Sequence, residues 1–433
     1  MFLLPKLLQR AITTGHLVLE GPDGRSWTFG DGTGEEIRIR ATTRSLDWRI
    51  ALDPELAGPE AIMDGTLRVE TGTIRDLTLL IMQNREELHA APLTGLRDRL
   101  MRAFRWLAQY NPAGRAKRNA AHHYDLGNDF YRRWLDTDMQ YSCAYFERGD
   151  ETLEAAQRAK QRHIAAKLRL RPGQRVLDIG CGWGGMALYM AQVADVEVTG
   201  ITLSEAQHAF AERRAAEAGL SDRVRFRLAD YREMAGQYDR IVSIGMAEHV
   251  GAPHLKTYFD RVRDLLAPEG LALVHLIGSS APPAYTGPFL DRYIFPGGYT
   301  PALSETMAAV EKSGIWTLDC EVWRLHYAET LKEWHRRFME VEPQVRAEQG
   351  AAFSRMWQLY LSACEGVFRH SSSCVFQLQL AHERDAAPLT RDYLGQEKAI
   401  LERAERRAGI VDSAPDRLRP QPAEHEEQER RHA

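Results

Sequence analysis

Two acid–base side chains follow neighbouring predicted strands of this 433-residue chain. Glu248 comes just after the strand-like run 240–244, and His275 comes directly after the apolar run 271–274. The carboxyl ends of adjacent parallel strands meet at one edge of a sheet, where ligands bind, so both side chains are expected at the mouth of the fold. A glutamate or histidine alone would more often be a surface group, but the pair above a glycine-rich turn favours a functional site.

The glycine-rich turn is the segment VLDIGCGWGG, residues 176–185. Its pattern predicts a buried strand, a tight turn and the start of a helix. In that arrangement the backbone approaches a ligand closely and offers unpaired N–H groups. Asp178 can accept a hydrogen bond from an ammonium or hydroxyl group of the ligand. Binding S-adenosylmethionine requires this combination.

The same turn also fits the dinucleotide pattern GxGxxG, so two other interpretations stay open. A nicotinamide site needs an acidic residue at the end of the next strand to hold the ribose, but Thr202 stands there. A turn that only packs a helix on a strand is the third interpretation. A P-loop is excluded, because neither GKS nor GKT follows the glycines.

Strand and helix patterns alternate from about residue 170 to residue 400 and predict a doubly wound α/β fold. Several strands are continuous apolar runs, as in a parallel sheet covered by helices on both faces. The last strand alternates apolar and polar residues, and we expect it to be antiparallel in a seven-stranded, Rossmann-like sheet of the class I methyltransferase type. The predicted strands are 175–179, 196–201, 224–229, 239–244, 271–277, 315–323 and 373–382, and the predicted helices are 184–193, 204–218, 254–266, 303–313, 328–341 and 353–369.

Four parts of the chain differ in pattern. Residues 1–92 have short alternating segments and glycine turns and predict a small N-terminal α+β domain that associates with lipid or membrane. Residues 93–170 predict a basic helical linker and an active-site lid, and residues 171–400 predict the domain that binds the methyl donor. Residues 411–433 are polar and charged and predict a disordered tail.

The basic stretch 96–118 has one apolar helix face, which suits an anionic membrane surface. A solvated helix face and nucleic-acid binding are the competing interpretations. No recognisable nucleic-acid module accompanies the charge, and the whole chain carries a net charge of −4, so we expect no nucleic-acid partner.

Cysteine content and hydropathy indicate the cellular compartment and the class of protein, soluble or membrane-spanning. The five cysteines lack zinc-site spacing, and their odd number argues against a disulfide framework, so a reducing cytoplasm is favoured and no metal site is expected. No apolar run approaches the 18 residues of a transmembrane helix. We therefore expect a cytoplasmic protein that associates peripherally with the inner face of the membrane.

Several motifs, in order, carry a resemblance to a known family. The chain resembles the cyclopropane-fatty-acyl-phospholipid synthases, a family that includes the mycolic acid cyclopropane synthases, over about residues 119–370. The resemblance implies S-adenosylmethionine as methyl donor, a bound bicarbonate ion, unsaturated phospholipid as substrate and a homodimer. The matching motifs are HHYDLGNDFY, MQYSCAYF, VLDIGCGWGG, VTGITLS, GMAEHVG, HLIG and LYLSACEGVF.

The resemblance also implies roles for individual residues. The implied bicarbonate site consists of Cys143, Glu248, His275, Ile277 (through its backbone) and Tyr327. Together with the strand-end positions of Asp230 and Tyr231, the residues expected to bind the methyl donor are Tyr141, Ser142, Val176, Asp178, Gly180, Cys181, Gly182, Trp183, Gly184, Thr202, Leu203, Gln207, Asp230 and Tyr231.

Cys364 matches a cysteine that the family assigns to the active site. Alkene methylation needs no covalent nucleophile on the enzyme, and cysteine is often a small buried hydrophobe. We therefore favour a structural or pocket-lining role for this thiol over nucleophilic catalysis.

The implied reaction transfers a methylene group to a cis double bond of an acyl chain. The alkene takes the methyl group, bicarbonate removes a proton from the resulting carbocation, and the cyclopropane ring closes; Glu248 is expected to accept a hydrogen bond from the bicarbonate hydroxyl. The main alternative is a C-methyltransferase of unsaturated acyl chains that leaves a methyl-branched or methylated unsaturated product. A non-catalytic lipid-binding protein and a small-molecule N- or O-methyltransferase are further alternatives.

Overall fold

The computed structural model describes residues 1–85 and 126–410. Its N-terminal part is an α+β unit whose four strands pair in the order β2-β1-β3-β4, antiparallel except for the parallel β1–β3 pair. Alternate residues of β1, Leu17 and Leu19, are fully buried against the helices. The elements are α1 (Leu3–Ala11), β1 (Leu17–Glu20), β2 (Ser26–Phe29), β3 (Ile37–Ala41), α2 (Leu46–Leu52), α3 (Pro54–Asp64), β4 (Leu67–Thr71) and α4 (Ile74–Gln83).

A seven-stranded sheet forms the second part, in the order β10-β11-β9-β8-β5-β6-β7. All strands run parallel except β11, which is antiparallel to both of its neighbours. The elements are α5 (Asn128–Arg132), α6 (Leu153–Leu168), β5 (Arg175–Ile179), α7 (Gly185–Ala194), β6 (Glu197–Thr202), α8 (Glu205–Glu217), β7 (Val224–Leu228), β8 (Tyr238–Ile244), α9 (Leu255–Leu265), β9 (Leu266–Ser279), α10 (Pro288–Tyr293), α11 (Leu303–Ser313), β10 (Trp316–Trp323), α12 (His326–Gln349), α13 (Ala351–His370), β11 (Ser373–Ala381) and α14 (Tyr393–Arg407).

Helices cover both faces of this sheet. Val176 packs in a cluster with α6, α7 and α8, whereas its neighbour Leu177 packs in a cluster with α9 and α11. Successive strand residues point to opposite faces, so the continuous apolar run of β5 is buried on both sides. The predicted α/β fold, its seven strands and the antiparallel last strand are confirmed.

Four helices of the second part have no counterpart among the individually predicted helices: α5, α6, α10 and α14. Helix α6 begins at a side-chain cap, in which Thr152 accepts a hydrogen bond from the backbone N–H of Ala155. It packs with α14 against the sheet, although residues 153–168 belong to the predicted linker and residue 400 falls inside α14. Both helices are rich in charged residues, which hid their buried faces from a hydrophobic-periodicity argument.

The N-terminal unit packs on α13. A Cβ atom on Gly366 would lie 2.6 Å from the side chain of Met82 in α4, so the missing side chain allows the two helices to approach closely. Next to this contact, Arg75 donates two hydrogen bonds, of 2.7 and 2.6 Å, to the fully buried carboxylate of Glu365. The N-terminal unit is therefore joined to the helix that carries Cys364.

Among the described residues, no helix has the length and apolar character to cross a bilayer, and no group of acidic, cysteine and histidine side chains could hold a metal ion. All five cysteines are free thiols. The predicted basic stretch 96–118 and the predicted tail 411–433 lie outside the described residues.

Candidate active site

The glycine turn between β5 and α7 opens a cavity at the carboxyl ends of the strands, here called the glycine-turn cavity. Gly180 and Gly182 have φ values of 81° and 54°, a left-handed conformation that other residues rarely adopt. A Cβ atom on Gly180 would also lie 3.1 Å from Met246 on the facing loop. The turn therefore keeps backbone close to the cavity.

Twelve of the fourteen residues predicted to bind the methyl donor line the glycine-turn cavity. Val176 and Gly184 do not: Val176 is buried in the middle of β5, and Gly184 turns the chain into α7, where a Cβ atom would lie 2.6 Å from Phe226. The twelve are Tyr141, Ser142, Asp178, Gly180, Cys181, Gly182, Trp183, Thr202, Leu203, Gln207, Asp230 and Tyr231.

Asp178 is the buried carboxyl group of this cavity. Its Oδ2 atom has no hydrogen-bond partner in the described part of the chain. Burial raises the pKa of Asp178 to about 7, against the lowering effect of the nearby Lys160 ammonium group. A carboxyl group with an unused oxygen facing a cavity is suited to accept a hydrogen bond from a cationic or hydroxyl-bearing ligand.

Two polar side chains that line the cavity, Thr202 and Asp230, already have hydrogen-bond partners within the protein. Thr202 donates its hydroxyl to Gln207 Oε1 at 2.9 Å. Asp230 accepts two side-chain hydrogen bonds from Arg232, of 2.8 and 2.6 Å, and burial, which raises its pKa, is outweighed by the Arg232 bonds that lower it. Asp230 therefore presents an ionised carboxylate at the end of β7.

Glu248 and His275 lie on neighbouring parts of the sheet, as strand order predicts, but His275 is not at a strand end, because β9 continues to Ser279 in its pairing with β11. Ile244 pairs with His275 in the β8–β9 register, and Glu248 follows in a short 3-10 helix. The Oε1 atom of Glu248 accepts a 2.5 Å hydrogen bond from the backbone N–H of Ile277, while Oε2 is buried without a partner among the described residues. Burial raises the pKa of Glu248 to about 7.

His275 completes this group, here called the Glu248 cluster (Glu248, His275, Ile277 and Gln377). Its Nδ1 atom lies 3.1 Å from the side-chain nitrogen of Gln377 on β11. Burial, followed by the positive charges of Lys160 and Lys167, lowers the pKa of His275 far below its usual range, so the ring is neutral. Gln377 was not predicted as a site residue. A polar side chain within a buried strand could have indicated it.

A second group, the Tyr360 cluster, consists of Tyr141, Tyr327, Tyr360 and Cys364. The Tyr141 and Tyr360 hydroxyl oxygens lie 2.7 Å apart. Burial raises the pKa of Tyr360 well above its usual value, and the neighbouring Tyr141, Cys364 and Tyr327 groups raise it further. Tyr360 was not predicted; it lies one helical turn before Cys364, a spacing that could have identified it.

Neither predicted active-site thiol is poised as a nucleophile. Burial raises the pKa of Cys364 to about 12 and that of Cys143 beyond any physiological range. Cys143 instead donates a hydrogen bond to the carbonyl oxygen of Ala144 at 3.3 Å. Both residues are therefore neutral thiols.

None of the six predicted catalytic residues lines the glycine-turn cavity. Two of them adjoin its walls: Cys143 directly follows Ser142, and the backbone N–H of Gly245, a lining residue, donates to the carbonyl oxygen of His275 at 2.9 Å. The structure thus gives a glycine-rich cavity and a buried acid–base cluster, connected where the end of β8 lies beside His275 of β9.

A family model for the mycolic acid cyclopropane synthetases matches residues 112–378, well over half of the chain. This chain belongs to the mycolic acid cyclopropane synthetase family. The match contains the glycine-turn cavity, the Glu248 cluster and the Tyr360 cluster, and it confirms the resemblance drawn from the motifs.

Individual members are similar over the same region. Cyclopropane-fatty-acyl-phospholipid synthase of Escherichia coli K12 is 45% identical over 247 residues, which are 57% of this chain and 63% of that protein, so the match spans just under two thirds of this relative. Tuberculostearic acid methyltransferase of Mycobacterium tuberculosis is 35% identical over 316 residues, 67% of this chain and 74% of that protein.

A solved structure supports the fold. The cyclopropane synthase MmaA2 of Mycobacterium tuberculosis matches with a TM-score of 0.59 and 34% identity, over 63% of this chain and 99% of that chain. The seven-stranded sheet is accordingly that of a class I S-adenosylmethionine-dependent methyltransferase.

Proposed function

We propose that this protein transfers a methylene group from S-adenosylmethionine to the cis double bond of an unsaturated phospholipid acyl chain and closes a cyclopropane ring. The observation that carries the proposal is the Glu248 carboxyl group: one oxygen is fixed by the Ile277 N–H, the other is buried and unpartnered, and the cluster adjoins the glycine-turn cavity. A carboxyl group held in this way can take part in proton transfer, which ring closure requires after the methyl group has been added.

S-adenosylmethionine supplies an electrophilic methyl group when bound. The glycine-turn cavity fits this donor, because Gly180 and Gly182 keep backbone open to it and Asp178 offers an unpartnered buried oxygen. The remaining polar groups, Thr202, Gln207 and Asp230, are suited to the hydroxyl and amino groups of a nucleoside. Tyr141 and Ser142 close the cavity on the side nearest the acid–base cluster.

A bicarbonate ion held by the Glu248 cluster would supply a base for the proton that leaves the added methyl group as the ring closes. The Glu248 cluster fits a small oxyanion with a hydroxyl group: the unpartnered Oε2 of Glu248 can accept from that hydroxyl. A carboxylate beside an anion is repulsive, but a carboxyl with a pKa of about 7 is partly protonated near neutral pH, which reduces the repulsion. His275, being neutral, can donate one N–H.

Aromatic side chains pack around Tyr141, which lines the glycine-turn cavity, and around Tyr327. Tyr141 packs against Trp134 and Trp334, with ring centroids 5.7 and 5.1 Å apart, and Tyr327 packs against Phe368 at 4.7 Å. Aromatic faces attract positive charge and provide apolar contact area. This environment suits both an acyl chain and a cationic carbon formed on it.

The proposed substrate lies in a bilayer, and the N-terminal unit has an apolar surface suited to reach it. Phe2, Trp48 and Leu52 are 62%, 53% and 66% exposed, and Leu3 is also exposed. These four residues, here called the apolar patch, lie on α1 and α2, which are joined because Asp47 accepts hydrogen bonds from the backbone N–H groups of Phe2 and Leu4. Lys6, over the Phe2 ring, adds positive charge. Aromatic and basic groups together favour an anionic lipid surface.

This surface supports the proposed peripheral association with the inner face of the membrane in the cytoplasm. The proposal includes no nucleic-acid partner, and it includes a homodimer on the strength of the family resemblance.

The C-methyltransferase alternative has one observation in its favour, the 35% identity to a relative named as a tuberculostearic acid methyltransferase. The two reactions share the donor and differ in the fate of the double bond.

Phospholipids from an expressing host and from a host with an empty vector test the proposal. We expect acyl chains that gain the mass of one methylene group and lose their double bond. The same gain with the double bond retained would support the alternative, and no change in the lipids would contradict both.

A further inference from the structure

A lysine ammonium group is buried beside the glycine-turn cavity. Lys160, on α6, has no exposed surface, and its Nζ atom donates hydrogen bonds to Gln140 Oε1 at 2.6 Å and Ser142 Oγ at 2.9 Å. Both acceptors line the cavity. Gln157, one turn earlier on the same helix, donates to the Ser142 carbonyl oxygen at 2.9 Å. One face of α6 therefore holds this wall of the cavity.

Hydrogen bonding alone does not require a charge at this position. Burying an ammonium group is costly unless negative charge offsets it, and a neutral glutamine could supply the same donors. The ionisable groups that act electrostatically on Lys160, or on which it acts, come from the preceding segment and from β5 and β9: Asp136, Asp138, Cys143, Asp178 and His275.

Of the three carboxyl groups, Asp178 has the fewest partners. Asp138 is paired with Arg214 and accepts from Gln140 and Gln161. Asp136 accepts from the backbone N–H groups of residues 138 and 140 and does not line the cavity. Asp178 lines the cavity and has a buried oxygen with no hydrogen-bond partner within residues 1–85 and 126–410.

We propose that Lys160 is a positioning residue of the methyl-donor site: it fixes Gln140 and Ser142 at the cavity wall and balances the negative charge of Asp178. The inference rests on the proposed use of S-adenosylmethionine. In this role the charge of Lys160 raises the affinity for the donor, and its hydrogen bonds fix the shape of the cavity wall.

The two roles differ in their dependence on pH. Burial raises the pKa of Asp178 to about 7, and the Lys160 charge opposes that rise. Without the charge, the pKa of Asp178 rises further, so that the carboxyl is protonated at neutral pH and no longer attracts a cationic ligand. Affinity then falls near pH 7 and recovers as pH increases. Burial also lowers the pKa of Lys160 to about 8, so above that pH the unchanged protein loses the same charge and the affinities of the two proteins converge. A loss of wall packing would instead weaken binding equally at every pH. Asp136, whose pKa is also about 7, shares the effect of the charge but has no surface in the cavity.

Isothermal titration calorimetry of S-adenosylhomocysteine on the full chain, from pH 6 to pH 9, separates these roles. Lys160→Gln keeps a hydrogen-bond donor and removes the charge, whereas the control Gln157→Leu keeps the charge and removes two hydrogen bonds to the same wall, those to the carbonyl oxygens of Gln140 and Ser142. For Lys160→Gln we expect a Kd about tenfold higher than that of the unchanged protein at pH 7. We also expect the midpoint of the curve of Kd against pH to lie about one pH unit higher. The ligand's own amino group titrates with all proteins and cancels in the ratio of Kd values.

A Kd ratio for Lys160→Gln that is constant with pH, like that expected for Gln157→Leu, would overturn the inference and leave the proposed function intact. An unchanged protein that does not bind S-adenosylhomocysteine would overturn the proposed function as well. Lys160→Met, which keeps the side-chain volume, repeats the test if Lys160→Gln does not fold, and the same shift in midpoint is expected.

Discussion

The side chain of Glu248 is fixed to the backbone of the neighbouring strand: its Oε1 atom accepts a 2.5 Å hydrogen bond from the N–H of Ile277, and its Oε2 atom is buried without a partner among the residues that the structure describes. A carboxyl group in this state is costly to ionise, and its pKa is raised to about 7. We infer that this carboxyl group lowers the stability of the folded protein and serves in proton transfer, a combination typical of active sites.

Glu248→Gln is expected to stabilise the protein at alkaline pH. A carboxyl whose folded pKa lies above its ordinary value of 4.5 costs no stability below pH 4.5 and costs the full amount above about pH 7. Glutamine cannot ionise, so the gain is small at pH 5 and on the order of 2 kcal/mol at pH 8. Urea unfolding at both pH values measures it, with the exposed Glu233→Gln as control. An equal difference at pH 5 and pH 8 would show that burial of the charge is not the cause.

The same Glu248→Gln protein is expected to lose at least about 100-fold in turnover, because acid–base groups contribute 10²–10⁴-fold. Its affinity for S-adenosylhomocysteine should stay within about threefold of the unchanged protein, since Glu248 does not line the glycine-turn cavity. Normal turnover of this variant without added bicarbonate would contradict the proposed role of the carboxyl group.

Cys364→Ala is expected to keep at least roughly a third of the activity, because a thiol with a pKa of about 12 is not a nucleophile at neutral pH. Initial rates measure the activity of the variant, and thermal unfolding shows whether the variant is folded. A folded variant with no measurable activity would assign the thiol a direct part in the reaction.

Trp48→Glu is expected to reduce flotation of the protein with vesicles of anionic phospholipid at least about threefold, because it places a negative charge in the apolar patch. The matched control is Leu389→Glu, at a fully exposed leucine remote from α1 and α2 in the chain. Equal flotation of both variants would exclude the apolar patch as the membrane contact.

Arg75→Met is expected to lower the free energy of unfolding by about 1–3 kcal/mol, because it removes a bidentate partner from the buried Glu365 and leaves Arg369. The double variant with Glu365→Gln should be more stable than Arg75→Met alone, since no buried charge then loses its partner. Additive losses in chemical denaturation would show that the pair contributes nothing specific to the contact between the N-terminal unit and α13.

Much of the fold was predictable, because parallel strands buried on both faces have continuous apolar runs. The glycine turn was predictable because its glycines lie between a strand pattern and the start of a helix. The placement of Glu248 after β8 and of His275 on the neighbouring β9 followed from strand order alone. Lys160, Tyr360 and Gln377 were not predictable in the same way: a lysine on a helix is ordinarily solvated, and its burial here depends on the segment 140–142 packing across it. Long-range packing of this kind leaves no local pattern.

Ring closure removes one hydrogen from the transferred methyl group, so the fate of the transferred hydrogens distinguishes it from methylation without a ring. The purified protein is incubated with vesicles of a cis-unsaturated phospholipid and S-adenosylmethionine carrying a trideuterated methyl group, and the acyl chains are analysed by mass spectrometry before and after ozonolysis. We expect products that retain two deuterium atoms and resist ozonolysis, because one deuteron of the added methyl group is removed as the ring forms. Products that retain three deuterium atoms, or that are still cleaved by ozone, would rule out ring closure.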